Sequence, residues 1–155
     1  MNAMIDIRGN TLDYDEWSDL GNEGWSHEEV LPYFIRAENQ EIIDDQFHGS
    51  GGPLNVTDRS YTNHLSDIFV KAGMELGYTK NNDFNGEQQK GFGYYQVTQK
   101  NGVRCSAATA YLHPVAKRTN LIIEIHAKVE RIVLGKGIAT GVVYHQSGES
   151  RECRS

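Results

Sequence analysis

Cysteine is scarce in this sequence, whose 155 residues contain only Cys105 and Cys153. Two cysteines are too few for a disulfide scaffold, and their spacing does not match a metal-binding motif. No apolar run approaches the roughly 20 residues that span a bilayer, and no signal peptide opens the chain. These absences favour a reduced, cytoplasmic compartment, and they leave open the membrane association of a longer parent protein.

Positive charge is also in deficit, because 15 lysines and arginines stand against 21 aspartates and glutamates, for a net charge of −6. An acidic chain has no electrostatic footprint for nucleic acid or for an anionic membrane, so no nucleic-acid partner is expected. Hydrophobic residues make up 38% of the chain and charged residues 23%. That balance is typical of a globular protein, and the length suits a single domain with a core.

The common catalytic motifs are missing as well. The sequence contains no GxGxxG, no P-loop and no GxSxG. Its six histidines show neither helical i, i+4 pairing nor a cysteine partner, so no zinc site is predicted. Asp83, Asn85 and Glu87 match a calcium loop only in part and are interpreted as a solvated turn. Cys105, beside Arg104, is interpreted as a small buried residue rather than a nucleophile. On its residues alone, the chain offers no catalytic residue and no metal ligand.

Residues 1–38 carry the clearest local signals. Asp13 stands three residues before Glu16, and Ser26 stands three residues before Glu29. This spacing lets the first side chain cap a helix while the acid reaches back to the backbone of the cap. Two short helices are therefore predicted here.

The middle of the chain predicts a loop, a strand and a helix. Residues 39–52 have the polar, glycine-rich composition of a loop, and residues 53–56 alternate as a short strand does. Residues 62–77 predict a helix capped by Thr62 and ended by Gly77. The apolar residues of this helix recur at steps of three and four and form one stripe that should pack into a core: Leu65, Ile68, Phe69, Ala72 and Leu76.

The last sixty residues predict mostly strands. Residues 94–99 read as a strand, and Ser106 is a cap for a short helix that runs through Leu112. Residues 121–130 alternate as a strand, and the parity then slips, which indicates a bulge near Glu130. Residues 131–145 predict a hairpin. The expected class is α+β, with helices early and antiparallel or mixed strands late. The core is expected where the stripe packs on strands at 94–99 and 121–134.

A family resemblance runs through the whole chain. The strings are NAM-x-x-x-RGN, DYDEW, GN-x-GWS, VLPYF, HGSGGPLNV, GMELGY, GFGYYQVTQKNGVRCSAATAYL and R-x-NL-x5-A-x-V-x-RI. In this order and spacing they resemble the glucose–methanol–choline (GMC) oxidoreductases, and most of all the choline and alcohol dehydrogenase branch.

The resemblance implies three segments. Residues 1–38 follow the loop that covers the flavin, residues 39–117 are part of the substrate-binding domain, and residues 118–155 return to the FAD domain as a hairpin. As an isolated chain these segments are expected to form one compact unit. The resemblance implies an alcohol substrate, choline or another primary alcohol, that gives a hydride to FAD.

The resemblance assigns cofactor contacts to four residues. Asn2, Ala3 and Met4 match the end of the loop that lies along the flavin, and Val129 matches a position whose main chain meets the adenine of FAD. Asp6 departs from the family, which has an aromatic or apolar residue at this position.

The family's GxGxxG unit and its catalytic histidine have no counterpart in these residues. The chain is therefore expected to be inactive by itself and not to bind FAD alone. Two alternatives stay open: a small non-catalytic module that binds a partner or self-associates through open sheet edges, and a truncated gene product without function.

Overall fold

The computed structural model describes residues 4–154 and divides them between two compact units. The first unit runs through Ala116, and the second begins at Lys117. The first contains three α-helices and two pairs of short strands, and the second contains a three-stranded sheet. This arrangement confirms the predicted α+β class. Within residues 4–154, no helix combines the length and the hydropathy needed to cross a membrane.

The first two helices are α1 (Thr11–Asp19) and α2 (His27–Ala37). The box of Ser26 and Glu29 is confirmed, because each accepts from the backbone N–H of the other. The box predicted from Asp13 is wrong, because α1 begins one turn earlier. Its cap is Asn10, and Asp13 is the acid that reaches back to the Asn10 N–H at 3.3 Å. Asn is as good an N-cap as Asp, so the helix gains a turn without losing its cap.

Strand β1 (Glu38–Gln40) follows α2 directly and pairs in parallel with β2 (Leu54–Val56). The strand predicted at residues 53–56 is confirmed by β2. The loop predicted for residues 39–52 is wrong at its start, because Asn39 and Gln40 belong to β1. Glu38 and Gln40 are buried polar residues, so β1 lacks the hydrophobic alternation by which a strand is recognised.

Helix α3 (His64–Glu75) is the longest helix. Its N-cap is Asn63, one residue after the predicted Thr62, because the Asn63 side chain accepts from the N–H of Leu65 at 2.9 Å. Gly77 has a φ of +88° and ends the helix as predicted.

The prediction that the apolar stripe of α3 packs into a core is wrong. Leu65 is 71% exposed, Phe69 67% and Leu76 79%, whereas Val70 and Gly73 are buried. The helix packs through its small-residue side, where the ring of Phe92 lies against Gly73. Helical spacing identifies an apolar face but does not identify what lies beside it.

The strand predicted at residues 94–99 is shorter than expected. Val97 forms single antiparallel bridges with Ile5 and with Thr57, and a regular strand starts only at Gln99. Strand β3 (Gln99–Lys100) pairs with β4 (Val103–Arg104) across a tight turn. Residues 94–96 form no β-bridge of their own, although the Gln96 carbonyl accepts from the Asp6 N–H.

The short helix predicted through Leu112 is confirmed, and it is a single π-helical turn at Ala108–Leu112. The N-cap position of this turn is Ala107 rather than the predicted Ser106, although Ser106 Oγ accepts from the backbone N–H of Thr109 at 3.2 Å. A 3₁₀ turn, His113–Val115, follows, and Pro114 lies inside it.

The second unit is one antiparallel sheet of strands β5 (Lys128–Gly135), β6 (Ile138–Gln146) and β7 (Glu149–Arg154), in that order. The predicted hairpin is confirmed by β5 and β6. The bulge predicted near Glu130 is confirmed too, because the register shifts between Val129 and Arg131. The strand predicted at residues 121–130 is wrong before Lys128, since residues 121–127 pair with no strand. The backbone reaches a φ of +56° at His126, which ends an extended run.

Candidate functional site

The interior of the first unit is unusually polar. Its buried apolar residues are few and small: Val56, Val70, Val97, Cys105 and Ala110. Buried polar residues are more numerous: Glu38, Gln40, His48, Asn55, Asn85, Gln96 and Gln99. Buried polar groups must find hydrogen-bond partners, so the contacts among these side chains define the structure of this unit.

Met4 is the first described residue of the segment assigned to the flavin, and Asn2 and Ala3 lie outside the described residues. Met4 has a left-handed φ of +67°. Its carbonyl accepts from the backbone N–H of Thr98 at 2.8 Å and from Thr98 Oγ1 at 3.3 Å. The end of this segment is therefore anchored on the chain near Thr98.

The residues after Met4 are fixed on two sides. The N–H of Asp6 donates to the carbonyl of Gln96 at 2.9 Å. The N–H of Arg8 donates to Asn85 Oδ1 at 2.8 Å, and Asn85 Nδ2 donates to Asp6 Oδ2 at 3.1 Å. Asp6, the residue that departs from the family pattern, is thus satisfied by a side chain 79 positions away.

Four charged side chains form a chain of contacts that we call the buried ionic network: Arg8, Glu38, His48 and Asp83. Arg8 Nη2 lies 2.9 Å from Glu38 Oε2, and His48 Nδ1 lies 3.1 Å from the same oxygen. His48 Nε2 lies 3.1 Å from Asp83 Oδ2. The His48 side chain is 1% exposed and that of Glu38 is 4% exposed. The network joins residue 8, strand β1 and the turn at residue 83.

Two glycines of the HGSGGPLNV string bring His48 to Glu38. A Cβ on Gly49 would overlap the carbonyl of Ile35, and a Cβ on Gly52 would overlap that of Glu38. The N–H of Gly49 also donates to Glu38 Oε2 at 3.1 Å. Side chains at either position would push the loop away from the end of α2, so the two glycines allow the loop to lie against the end of this helix.

The electrostatics of the network favour the charged forms. Burial by itself would lower the pKa of His48, but the hydrogen bonds with Asp83 and Glu38 outweigh it and raise the pKa to about 9. Burial would raise the pKa of Asp83, but the His48 hydrogen bond and the Asn85 N–H hold it below the usual value. Burial and then the charge of Glu38 raise the pKa of Asp6. His48 is therefore an imidazolium at neutral pH.

Asp45, His48 and Asp83 bring three potential metal-ligand atoms within 4.8 Å of one another. The sequence did not indicate this grouping. The ring nitrogens of His48 each lie 3.1 Å from a carboxylate oxygen, Nδ1 from Glu38 and Nε2 from Asp83. These contacts make His48 and Asp83 part of the buried ionic network, where they have a structural role.

Val129 lies in the second unit, in strand β5, where it pairs with Tyr144. Strand β5 is at the edge of the sheet, and the bulge at Glu130 follows Val129 immediately. An edge strand has main-chain groups on its open side, and a bulge interrupts the pairing on the other. Such a position suits a ligand that is recognised through main-chain groups. Met4 belongs to the first unit and Val129 to the second.

Sequence reasoning missed the buried ionic network entirely. The six histidines lack the spacing of a zinc site, and no pattern in the sequence links His48 to Arg8 or Glu38. The available signal was that Arg8 and His48 stand inside the two strings RGN and HGSGGPLNV. Cys105 is buried, as interpreted, and its sulfur accepts from the N–H of Asn55 at 3.4 Å.

Comparison with solved structures finds the same fold in several oxidoreductases, one of them FAD-dependent. Pyridoxine 4-oxidase from Mesorbium loti matches with a TM-score of 0.89 and 29% identity, over 99% of this chain and 31% of its own. An FAD-dependent oxidoreductase from Chaetomium thermophilum matches with a TM-score of 0.89 and 26% identity, over 99% of this chain and 29% of its own. A fungal aryl-alcohol oxidase at 16% identity has a TM-score of 0.83, which shows the fold alone.

Sequence comparison gives the family. The sequence model of the family described as GMC oxidoreductase matches residues 1–154, so this chain belongs to the GMC oxidoreductase family. It is 41% identical to the oxygen-dependent choline dehydrogenase of Vibrio vulnificus over 99% of this chain and 28% of that protein. It is 42% identical to the mitochondrial choline dehydrogenase of Homo sapiens over 97% of this chain and 25% of that protein. These findings confirm the resemblance, and FAD is the cofactor of the parent family.

Proposed function

We propose that this chain is a central part of an FAD-dependent GMC oxidoreductase that oxidises choline or another small primary alcohol by hydride transfer to the flavin. The observation that carries the proposal is identity of 41% and 42% to two choline dehydrogenases across nearly the whole chain. The chain spans only 28% and 25% of those relatives. The activity is therefore assigned to the longer protein, and the chain alone is expected to be inactive.

The contacts proposed for FAD are those of Asn2, Ala3 and Met4 with the flavin and of Val129 with the adenine. Two observations support them: Met4 is anchored through Thr98, and Val129 lies on an edge strand beside a bulge. When bound, the flavin supplies the hydride acceptor. The task of this chain's residues is to bind and orient, and the network that fixes Arg8 and Glu38 keeps the segment after Met4 in one place.

A second candidate function is self-association through open sheet edges. It is favoured by the second unit, whose sheet of three strands has β5 and β7 as its outer strands. Unpaired edges are templates for pairing with another chain.

The compartment proposed for the protein is the cytoplasm, on the basis of its low cysteine content.

The test is a chimera in which this chain replaces the matching segment of the Vibrio vulnificus choline dehydrogenase. We expect the purified chimera to retain FAD and to show loss of oxidised-flavin absorbance when choline is added without oxygen. The isolated chain, titrated with FAD at micromolar concentration, is the control and is expected to show no saturable fluorescence quenching. The unmodified relative, measured in parallel, calibrates the reduction.

Two outcomes would count against the proposal. A folded chimera that holds FAD and is reduced by neither choline nor other primary alcohols would overturn the assigned activity. Tight FAD binding by the isolated chain would overturn the expectation that the cofactor is held mainly by residues outside it.

A further inference from the structure

A cavity of about 310 Å³ lies in the first unit, with a mixed lining of apolar, amide and charged side chains. Ile42 and Ile43 form an apolar wall, and Asp58, Arg59, Tyr94 and Gln96 supply the polar groups. We call it the Arg59 cavity. Its volume is at the lower end of the range of small-molecule sites, and its lining of apolar walls with a few polar groups is typical of them.

Arg59 is held in place but is not neutralised. Its guanidinium carbon lies 3.6 Å from the centre of the Tyr94 ring, and the Tyr94 hydroxyl is fixed by a hydrogen bond to Asp67. Its Nε is buried and has no hydrogen-bond partner. Among the residues that the structure describes, no carboxylate forms an ion pair with this guanidinium. Because Nε has almost no accessible surface, a ligand in the cavity would be bound by the terminal Nη groups of the guanidinium.

Three side chains that share the cavity already accept hydrogen bonds. Asp58 Oδ1 accepts from Gln96 Nε2 at 3.0 Å, and Gln96 Oε1 accepts from Gln40 Nε2 at 2.8 Å. Asp83, which also lines the cavity, accepts from His48. Arg59 is therefore the group in this cavity that a ligand oxygen would satisfy.

The carboxylates restrict the charge of that ligand. Asp58 is exposed and places a carboxyl group in the same cavity as Arg59. A plain anion would be attracted by Arg59 and repelled by Asp58. A ligand that carries an ammonium group beside its carboxylate turns the second interaction into an attraction.

We propose that the Arg59 cavity binds a small zwitterion of the α-amino acid class. The ligand carboxylate accepts hydrogen bonds from the guanidinium of Arg59, its ammonium group faces Asp58, and its apolar part packs on Ile42 and Ile43. This inference does not rest on the proposed oxidoreductase function, and it can be tested on the chain as it stands.

The probe is L-leucine, titrated into the ¹⁵N-labelled chain and followed by amide chemical shifts. Two matched compounds each remove one charged group: 4-methylpentanoate lacks the ammonium, and 3-methylbutylamine lacks the carboxylate. We expect L-leucine to give saturable shifts at residues near Asp58 and Arg59, and each analogue to bind about tenfold more weakly or worse, because each loses a charge-assisted interaction.

Three variants assign the effect to side chains. Arg59→Gln should weaken L-leucine binding about tenfold or more. Asp58→Asn should remove the preference for L-leucine over 4-methylpentanoate. Arg36→Gln is the control, because Arg36 also stacks on a tyrosine ring, Tyr33 at 5.1 Å, and does not line the cavity. This control should bind as the original chain does.

The proposal fails if the folded original chain gives no saturable shifts with L-leucine. It also fails if Arg59→Gln, folded by its amide spectrum, binds L-leucine as tightly as the original chain. Equal binding of L-leucine and 4-methylpentanoate would overturn the zwitterion class and with it the role of Asp58.

Discussion

His48 carries a positive charge in an interior where its side chain is 1% exposed. The carboxylates of Glu38 and Asp83 each lie against one ring nitrogen of His48 and stabilise its positive charge. Arg8 also pairs with Glu38, so the network contains two cationic and two anionic side chains. A buried ion pair contributes little net stability when compared with an apolar pair of the same volume, but removal of one partner is strongly destabilising. The network therefore specifies where residue 8, β1 and residue 83 meet rather than adding stability in proportion to its size.

The protonation of His48 makes stability depend on pH. Its folded pKa of about 9 lies above the ordinary value of 6.5, so the proton is held more tightly in the folded chain. The resulting stabilisation is fully present below pH 6.5 and is lost as the pH rises through about 9. A shift of this size corresponds to roughly 3 kcal/mol of unfolding free energy. Urea unfolding at a series of pH values from 6 to 9.5 should show this decline.

The substitution His48→Gln should lower the unfolding free energy by about 3 kcal/mol near pH 7 and flatten the decline above pH 6.5, because glutamine does not titrate. His64→Gln is the matched control, since His64 is exposed at the start of α3. An unchanged pH profile in His48→Gln would show that another group causes the decline.

At this scale, the sequence predicts the cap of α2 but misplaces those of α1 and α3, and it predicts the interior poorly. Ser26 and Glu29 are recognised from a three-residue spacing because the capping box is local. His48 and Asp83 are 35 positions apart, and nothing in their immediate neighbours indicates that they meet. Contacts between such distant side chains depend on loop paths that local pattern does not encode.

Helix α3 shows how a packing partner overrides periodicity. Its docked side is marked by Gly73, against which the ring of Phe92 lies. Phe92 is in turn fixed by Phe69, with ring centres 5.5 Å apart, and by Tyr78 at 5.0 Å. The backbone of Phe92 also exchanges hydrogen bonds with Thr79 and Asn81 at 2.8 Å. The ring has little room to withdraw.

The substitution Gly73→Ala should therefore destabilise the chain, although alanine is the better helix former. In an exposed helix the change would gain about 1 kcal/mol. Here the added Cβ overlaps the Phe92 ring, and overpacking of this kind costs about 1–3 kcal/mol. Thermal unfolding by circular dichroism measures the result. Ser66→Ala, on the exposed side of α3, is the control and should be neutral or slightly stabilising.

A Gly73→Ala chain that melts at a higher temperature than the original would mean that Phe92 moves aside freely. The helix would then be held to the first unit by contacts other than this one.

At the scale of elements, the sequence predicts those with local signals. Leu54–Val56, α3 and the β5–β6 hairpin each carry alternation, periodicity or a glycine turn, and the parity slip correctly located the bulge at Glu130. Strand β1 was missed because its side chains are polar. Residues 121–127 alternate like a strand and yet pair with none. Alternation indicates that a segment has one apolar and one polar face, but it does not indicate that a partner strand is present.

The chain as a whole exposes many large apolar side chains. In the second unit, Ile132 is 60% exposed and Leu134 67%, both on the edge strand β5. Relatives extend to about four times the length of this chain, since it spans 25–28% of them. Exposed apolar side chains on an unpaired edge favour association with another surface.

We expect the chain to self-associate, with a weight-average mass in sedimentation equilibrium that rises with concentration. The double substitution Ile132→Lys with Leu134→Lys should shift the chain to a monomer, because lysine on an edge strand blocks pairing. Thr119→Lys with Asn120→Lys adds the same charge at exposed turn positions and is the control. A monodisperse monomer for the original chain at all concentrations would contradict this expectation.

At the scale of the molecule, the family was recognisable from the order and spacing of eight strings, which together are more specific than each string alone. The boundary between the two units lies at Ala116 and Lys117 because residues within each unit contact one another more than they contact the other unit. Amino-acid composition carries no information about these contacts. The four proposed cofactor contacts remain predictions. Asn2, Ala3, Met4 and Val129 were assigned by likeness to other proteins, and no local chemistry at these residues identifies them.

The polar interior of the first unit has a thermal consequence. Unfolding normally raises the heat capacity because apolar surface becomes hydrated, and exposure of polar surface lowers it. Here the buried side chains include Glu38, Gln40, His48, Asn55 and Gln96, and the fully buried ones are Val56 and Asn55. The heat-capacity change per residue should therefore be small, and the stability curve broad and flat, so cooling would weaken this unit less than one built on an apolar core.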